Sequence, residues 1–180
     1  MLSRKNFVHR PFLTPLILVL IFLSLSGCFN PFAPALDKKV DVSKVITTQQ
    51  TPEEVLQNFQ YAYTFKDSLL YSDVVDESFV FEYFDPNLQP TGGFVTWGRD
   101  VDLKTTGSLF RQFDVIDLVW LNTLFSDTQG GFERRFVRFN LSLFGSDFNF
   151  IVTGTAIFTF KQNEIDKKWR IIRWKDESDL

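Results

Sequence analysis

Apolar side chains along residues 51–180 follow two periods, and the change between them separates helical from extended chain. Leu56, Phe59, Tyr63 and Lys66 fall on one side at spacings of three and four, with Val55 and Ala62 beside them. That is the stripe of an amphipathic helix. Its start is marked by Thr51 as N-cap, Pro52 in the first turn and Glu54 three residues after the threonine, a capping box. A second, short helix is predicted across "SLLYSDVV", with Leu70 and Val74 on one face. The period then falls to two: "SFVFEYF", residues 78–84, is rich in aromatic and β-branched side chains and predicts a strand. "DPNLQPTGGFVTWGRD" holds two prolines and three glycines and predicts a loop with a brief strand at 94–97. After Asp100 a helical spacing returns through Leu103, Thr106, Phe110 and Phe113, and strands are predicted at 114–124, 132–144, 148–161 and 168–175.

Alternation within the strands tells how they lie. Val137, Phe139, Leu141 and Leu143 share one face, and Arg134, Arg138, Asn140 and Ser142 share the other. Phe148, Phe150, Val152, Ala156, Phe158 and Phe160 oppose Asn149, Thr153, Thr155 and Thr159. Under unbroken alternation Trp169 and Trp174 fall on opposite faces. A sheet with one apolar face must bury it, and the helices that precede it are the available cover. Short turns such as "SDTQGG" and "GSD" favour antiparallel pairing, so the fold class expected is α+β. No internal repeat is present.

The first 28 residues change the picture. Met1 to Lys5 is short and basic, Pro11 to Leu25 is almost wholly apolar, and the stretch exits through Leu25-Ser26-Gly27-Cys28. This layout reads as a secretory signal, too short for a comfortable spanning helix. The last four residues resemble the lipobox of bacterial lipoproteins, in which cleavage falls before the cysteine and that cysteine is then acylated. The organisation expected is a signal at 1–27, a lipidated Cys28 with a flexible tether over 28–50, and a folded domain over 51–180. Within the tether a short extended piece is expected at 40–46. Phe29, where inner-membrane lipoproteins of diderm bacteria commonly carry aspartate, points to the periplasmic face of the outer membrane in such a host.

Cleavage would leave 153 residues, enough for one domain with a real core, with a formal net charge of −6. That balance argues against nucleic acid as a partner. His9 and Cys28 are the only histidine and cysteine in the chain, so the mature domain would hold no imidazole and no free thiol. Ser-His-Asp and Cys-His catalysis and His/Cys zinc sites are thereby excluded. No phosphate-binding glycine loop or helix-loop-helix calcium motif is present, and no cofactor or metal is expected. The 19 phenylalanines that would remain suit either a large aromatic core or a lined pocket.

The order helix, short helix, strand, loop, helix and four long strands is similar to the NTF2-like cone, the fold of SnoaL-like and ketosteroid-isomerase-like proteins. "TPEEVLQNFQYAYTFKDSLLYSDVVDESFVFEYF" resembles the opening of NTF2-like bacterial lipoproteins, and "KKWRIIRWKDES" resembles their final strand. The resemblance implies a curved antiparallel sheet covered by N-terminal helices. Some members of that superfamily are isomerases, cyclases or dehydratases, and others only bind or assemble. The missing histidine weakens the dehydratase and cyclase comparisons, whereas a carboxylate base with a tyrosine and protonated-carboxyl oxyanion site needs no imidazole. Pocket candidates are Tyr63, Tyr71, Asp76, Tyr83, Asp117 and Arg138. Three of them have a plainer reading: Tyr63 as core, Asp76 as a turn cap, Asp117 as a solvent-face acid. Arg134, Arg135 and Arg138 form a local basic spot that could receive an acidic ligand or pair with Glu133, Asp114 or Asp117. The leading expectation is a non-catalytic, membrane-anchored envelope protein that binds a small apolar ligand or a protein partner, with a homodimer through the sheet among the options. The alternative is a small-molecule isomerase or lyase using carboxylate and tyrosine groups in the cone.

Overall fold

The computed structural model describes residues 45–178 apart from Gln89. The signal, Cys28 and most of the tether, with all but the last two residues of the extended piece expected at 40–46, lie outside the described residues. Three helices, α1 (Pro52–Phe65), α2 (Ser68–Val74) and α3 (Arg99–Gln112), and six strands, β1 (Val75–Asp85), β2 (Gly93–Gly98), β3 (Val115–Gln129), β4 (Phe132–Phe144), β5 (Asn149–Gln162) and β6 (Trp169–Ser178), follow one another as the alternation of periods requires. The strands form one curved, unclosed sheet in the order β2-β1-β6-β5-β4-β3. All neighbours are antiparallel except β1 and β6, which run parallel. Parallel neighbours need a long crossover. Here everything from β2 to β5 lies between them, a pairing that turn lengths alone do not disclose.

Helix α1 begins as its capping residues dictate. Thr51 Oγ1 accepts from the Glu54 amide at 3.3 Å, and Glu54 Oε2 accepts from the Gln50 amide at 2.8 Å. The helix stops at Lys66, whose φ of 56° is left-handed, so Lys66 closes the helix rather than extending its apolar stripe. Its ammonium donates instead to the carbonyls of Phe113 and Asp114, tying the end of α1 to the exit of α3. Asp67 then caps α2 by accepting from the amides of Leu69 and Leu70.

The ordered domain starts before Thr51. Asn58 on α1 is fully buried and donates to Thr47 O and Gln49 Oε1, while its own oxygen accepts from the Thr47 amide at 2.8 Å. Gln49 donates onward to the carbonyls of Asp73 and Trp169. Residues 47–49 are therefore clasped to α1, α2 and β6, although the sequence alone reads them as tether. Residues 45 and 46 form a turn and a bend. Buried side-chain amides of this kind must be fully bonded to be tolerated, and Asn58 is.

Two irregularities redirect side chains. The register of β6 against β5 shifts between Thr159 and Phe160, so that Ile171 faces Phe160 while Trp174 faces Phe158. The extra residue puts Trp169 and Trp174 on the same side, both packed against the core, and corrects the opposite faces expected from unbroken alternation. In β3, register shifts at Trp120/Asn122 and Thr123/Phe125 leave Leu121 and Leu124 outside the ladder and exposed.

Candidate functional site

The interior of the curved sheet is filled by rings. Phe59 of α1 stacks on Tyr63 with centroids 4.8 Å apart and meets Tyr71, Trp120, Phe158 and Trp174 at 5.4 to 5.6 Å. Tyr63 in turn packs edge-on to Tyr71 and Phe110. Among these rings lies a void of about 20 Å³ lined by apolar atoms of residues such as Phe59, Leu118, Phe139 and Trp174, and past Trp120 a cleft of about 240 Å³ is bordered by Leu56, Gln60, Arg135 and Val137. The void admits about one water molecule.

Behind the rings lies a small polar cluster. Asp102 of α3 is 3% exposed. Its Oδ2 accepts from the Tyr71 hydroxyl at 2.6 Å, and its Oδ1 accepts from Trp97 Nε1 at 3.1 Å. Burial raises the Asp102 carboxyl above its ordinary value, against the pull of those two donors. Burial, with nearby Asp102 adding to it, also raises both Tyr63 and Tyr71, so neither phenol ionises near neutrality. A second carboxyl, Asp176 of β6, is likewise raised by burial. Its Oδ1, and Trp174 Nε1 two residues before it, are shut from solvent with no hydrogen-bond partner among the described residues.

The six pocket candidates do not converge. Tyr63 and Tyr71 meet in the interior. Asp76 lies at the junction of α2 and β1, where it accepts from the Ser78 amide at 3.0 Å and the Ser78 hydroxyl at 2.7 Å, the geometry of a turn cap. It lines a cleft of about 400 Å³ together with Asp73, Asp166 and Arg170. Two of that cleft's acids are already paired: Arg170 bonds both Asp73 and Asp166, Lys168 bonds Asp73, and Asp166 is lowered to about 2 chiefly by Arg170. Tyr83 stands at the far end of β1 beside Trp97, centroids 5.4 Å apart. Asp117 and Arg138 are exposed on the outer face of the sheet, paired in register with Ser142 and with Asn122 and Thr155. Their strand parity turns them away from Leu118 and Val137, which are buried; this corrects their placement as pocket groups. Arg135 is the arginine that turns inward, held by Glu133 and Glu53. Glu53 sits on α1, a partner that strand spacing could not suggest. Cys28 lies outside the described residues.

Asp102, Trp97, Trp174 and Asp176 are the polar interior groups that sequence reasoning missed. A signal existed for the first: Asp102, Thr106 and Phe110 recur every four residues and are the three buried positions of α3, so the acid stands on the apolar stripe. Among the described residues no cluster of three or more His, Cys, Asp or Glu is placed to hold a metal ion, and no helix is long and apolar enough to cross a membrane.

The sequence matches no family profile and no curated protein. Its structure does have relatives. An NTF2-like superfamily protein from Salmonella enterica aligns with a TM-score of 0.59 at 13% identity, over 77% of this chain and 94% of that one. This chain has the NTF2-like fold. Similar too are a conserved protein from Planctomyces limnophilus, with a TM-score of 0.58 at 12% identity over 70% of this chain and 91% of that one, and a Novosphingobium aromaticivorans protein provisionally assigned as a scytalone dehydratase. The latter has a TM-score of 0.58 at 15% identity, over 71% of this chain and 81% of that one. At such identities the likeness is one of fold. In this chain the rings of Phe59, Tyr63, Tyr71 and Trp120 occupy the interior of the sheet's curve.

Proposed function

We propose that this chain is a lipid-anchored protein of a bacterial envelope whose NTF2-like domain works by contact with a protein partner through the outer face of its sheet. The reading rests on one contrast: the void among the interior rings is about 20 Å³, while Val119, Phe125, Phe144 and Ile151 stand exposed outside, Ile151 to 68%. Exposed apolar patches on a sheet face mark interaction surfaces. On that face β3 carries Asp117 and Asp127 and β4 carries Arg134 and Arg138. Asp127 and Arg134 pair with each other within the chain, and a twofold axis would set Asp117 of one copy against Arg138 of another, so a second copy of the chain is the occupant assigned. The anchor rests on the basic leader, the apolar stretch and Leu25 to Cys28.

The full chain, expressed in a diderm bacterium and purified in detergent, tests both parts. Sedimentation is expected to give a concentration-dependent dimer that Phe125→Glu and Ile151→Glu dissociate; a monomer at every concentration overturns the dimer and leaves the face to another envelope protein. Labelled palmitate is expected to enter the wild type and not Cys28→Ser, and a wild type that takes up none overturns the anchor.

The convergence of Tyr63, Tyr71 and Asp102 favours a second reading, an isomerase or lyase in which a buried carboxyl kept neutral helps tyrosine stabilise an oxyanion. That chemistry requires the cone to open, because Asp102 engages the Tyr71 hydroxyl and the void holds about one water. A small apolar ligand inside the cone meets the same obstacle.

A further inference from the structure

Burial along β3 changes character at its middle. From Val115 to Trp120 it alternates, with Ile116 and Leu118 buried, whereas from Leu121 to Gln129 every residue is exposed apart from the half-buried Asp127. Leu121, Leu124 and Phe125 stand 55%, 53% and 54% exposed there. β3 is also an edge of the sheet, and among the described residues no strand pairs with it on the side away from β4. We infer that the stretch from Leu121 to Gln129 receives an extended segment of a partner protein, which adds to the sheet as a further strand and sets one large apolar side chain, with a basic residue beside it, in the cleft under α1.

The edge, the cleft and the charge each support the assignment. A free edge presents unpaired N–H and C=O groups and is ordinarily blunted by lysine, proline or bulges. Across its 15 residues β3 holds no proline, lysine or arginine, and its two register shifts put leucines, not charges, outside the ladder. The first half of β3 is tied to α1, where Gln60 donates to Leu118 O at 2.7 Å and Trp120 Nε1 donates to Leu56 O at 2.9 Å. Past Trp120 the cleft of about 240 Å³ opens between Gln57 on α1 and Leu121, Asn122 and Thr123 on β3. It lies on the inner side of the sheet, since Thr123 pairs with Val137 and Ser126 with Arg135, both buried. Its volume falls below that of cofactor pockets and suits a single side chain. Two carboxylates share one guanidinium at this cleft: Glu133 and Glu53 both bond Arg135, and Glu53 reaches solvent. That surplus of negative charge favours a basic residue in the added segment. It disfavours β3 of a second copy, which would bring Asp117 and Asp127 and no cation. Strand addition with a pocket for one side chain is an established mode of peptide recognition.

Selection of random dodecapeptides on the full chain in detergent tests the assignment, with recovered peptides measured by fluorescence anisotropy and amide hydrogen exchange. They are expected to share an aromatic or large aliphatic residue next to lysine or arginine, and to slow exchange across residues 121–129, the mark of an added strand. Leu121→Lys, an exposed change that sets a cation at the mouth of the cleft, is expected to weaken them about tenfold, and Glu53→Gln about threefold. Ile151→Glu, on the outer face, is expected to bind them as the wild type does, which keeps this result separate from that of the dimer. The proposal is overturned if no peptide binds saturably, if Leu121→Lys binds as the wild type does, or if the slowed amides lie outside 121–129. It is overturned too if, in peptide-free Ile151→Glu protein, the amides of 121–129 are slow when concentrated and fast on dilution, which would give the edge to a second copy.

Discussion

Asp102 and Asp176 are both aspartates on the inner side of the cone, both raised by burial, and they differ in their partners. Asp102 receives a phenol and an indole N–H. Asp176 receives the Ser178 hydroxyl, keeps one oxygen unpaired and borders a cleft of about 760 Å³. A buried carboxyl whose two oxygens each accept a donor acts as a structural joint, here between α2, α3 and β2. One that keeps an oxygen closed to solvent and without a donor carries the cost of that unmade bond. Burial and a displaced pKa are common to both and so cannot tell the two roles apart.

The largest expected effect tests the joint. Asp102→Ala strands the Tyr71 hydroxyl and the Trp97 N–H in the interior and should cost about 3 kcal/mol in urea unfolding, whereas Asp176→Ala should stay within about 1 kcal/mol of wild type. Equal losses would erase the distinction.

Gly154 comes next. A Cβ there would lie 2.7 Å from Glu177 O and in collision with Ser178 Cα, so Gly154→Ala should push the end of β6 away from β5 and cost about 2 kcal/mol. Because the displaced segment leaves α3 alone, Asp102→Ala should perturb the near-ultraviolet circular dichroism of Trp97 and Tyr71 more than Gly154→Ala does.

A smaller effect is the pH response. A carboxyl raised on folding binds a proton in the native state where the unfolded chain has already released it, in the window from its ordinary value of 3.8 up to its folded value. Its stabilising contribution is therefore present at the acid end and falls as pH rises through that window. The stability of wild type relative to Asp102→Asn should decline across it, read by unfolding at several pH values. Asp73, lowered by Lys168 and Arg170 against its burial, runs the other way and loses its contribution as pH falls, which is why the difference between wild type and variant is the quantity to follow.

Asp117→Asn and Arg138→Gln, exposed on the outer face, should leave the unfolding free energy within about 0.5 kcal/mol while altering the salt dependence of dimerisation. A large loss of stability in either would contradict their outward placement.

Much of the fold was readable from local pattern. Thr51, Pro52 and Glu54 start α1 because capping is decided within one turn of chain. The strands of the second half were readable because period-two alternation survives over ten or more residues, as in β4. The interior position of Tyr63 was readable from the stripe of α1, and that of Tyr71 was not, since the spacing of α2 puts Leu70 and Val74 on its face. Asp117 and Arg138 were assigned to a pocket on residue type, and strand parity decides against them.

By itself the sequence determined which segments are helix and strand, the α+β class, the resemblance to the NTF2-like cone, and the absence of imidazole and free thiol from residues 29–180, because these depend on neighbours a few residues away or on composition. Only the tertiary structure decided that β6 lies parallel to β1, that a bulge brings Trp169 and Trp174 to one side, that residues 47–49 are clasped to the domain, that the cone is filled, and that Asp102 is satisfied where Asp176 is not. Each of these rests on contacts between residues tens of positions apart, whose register and partners no local period records.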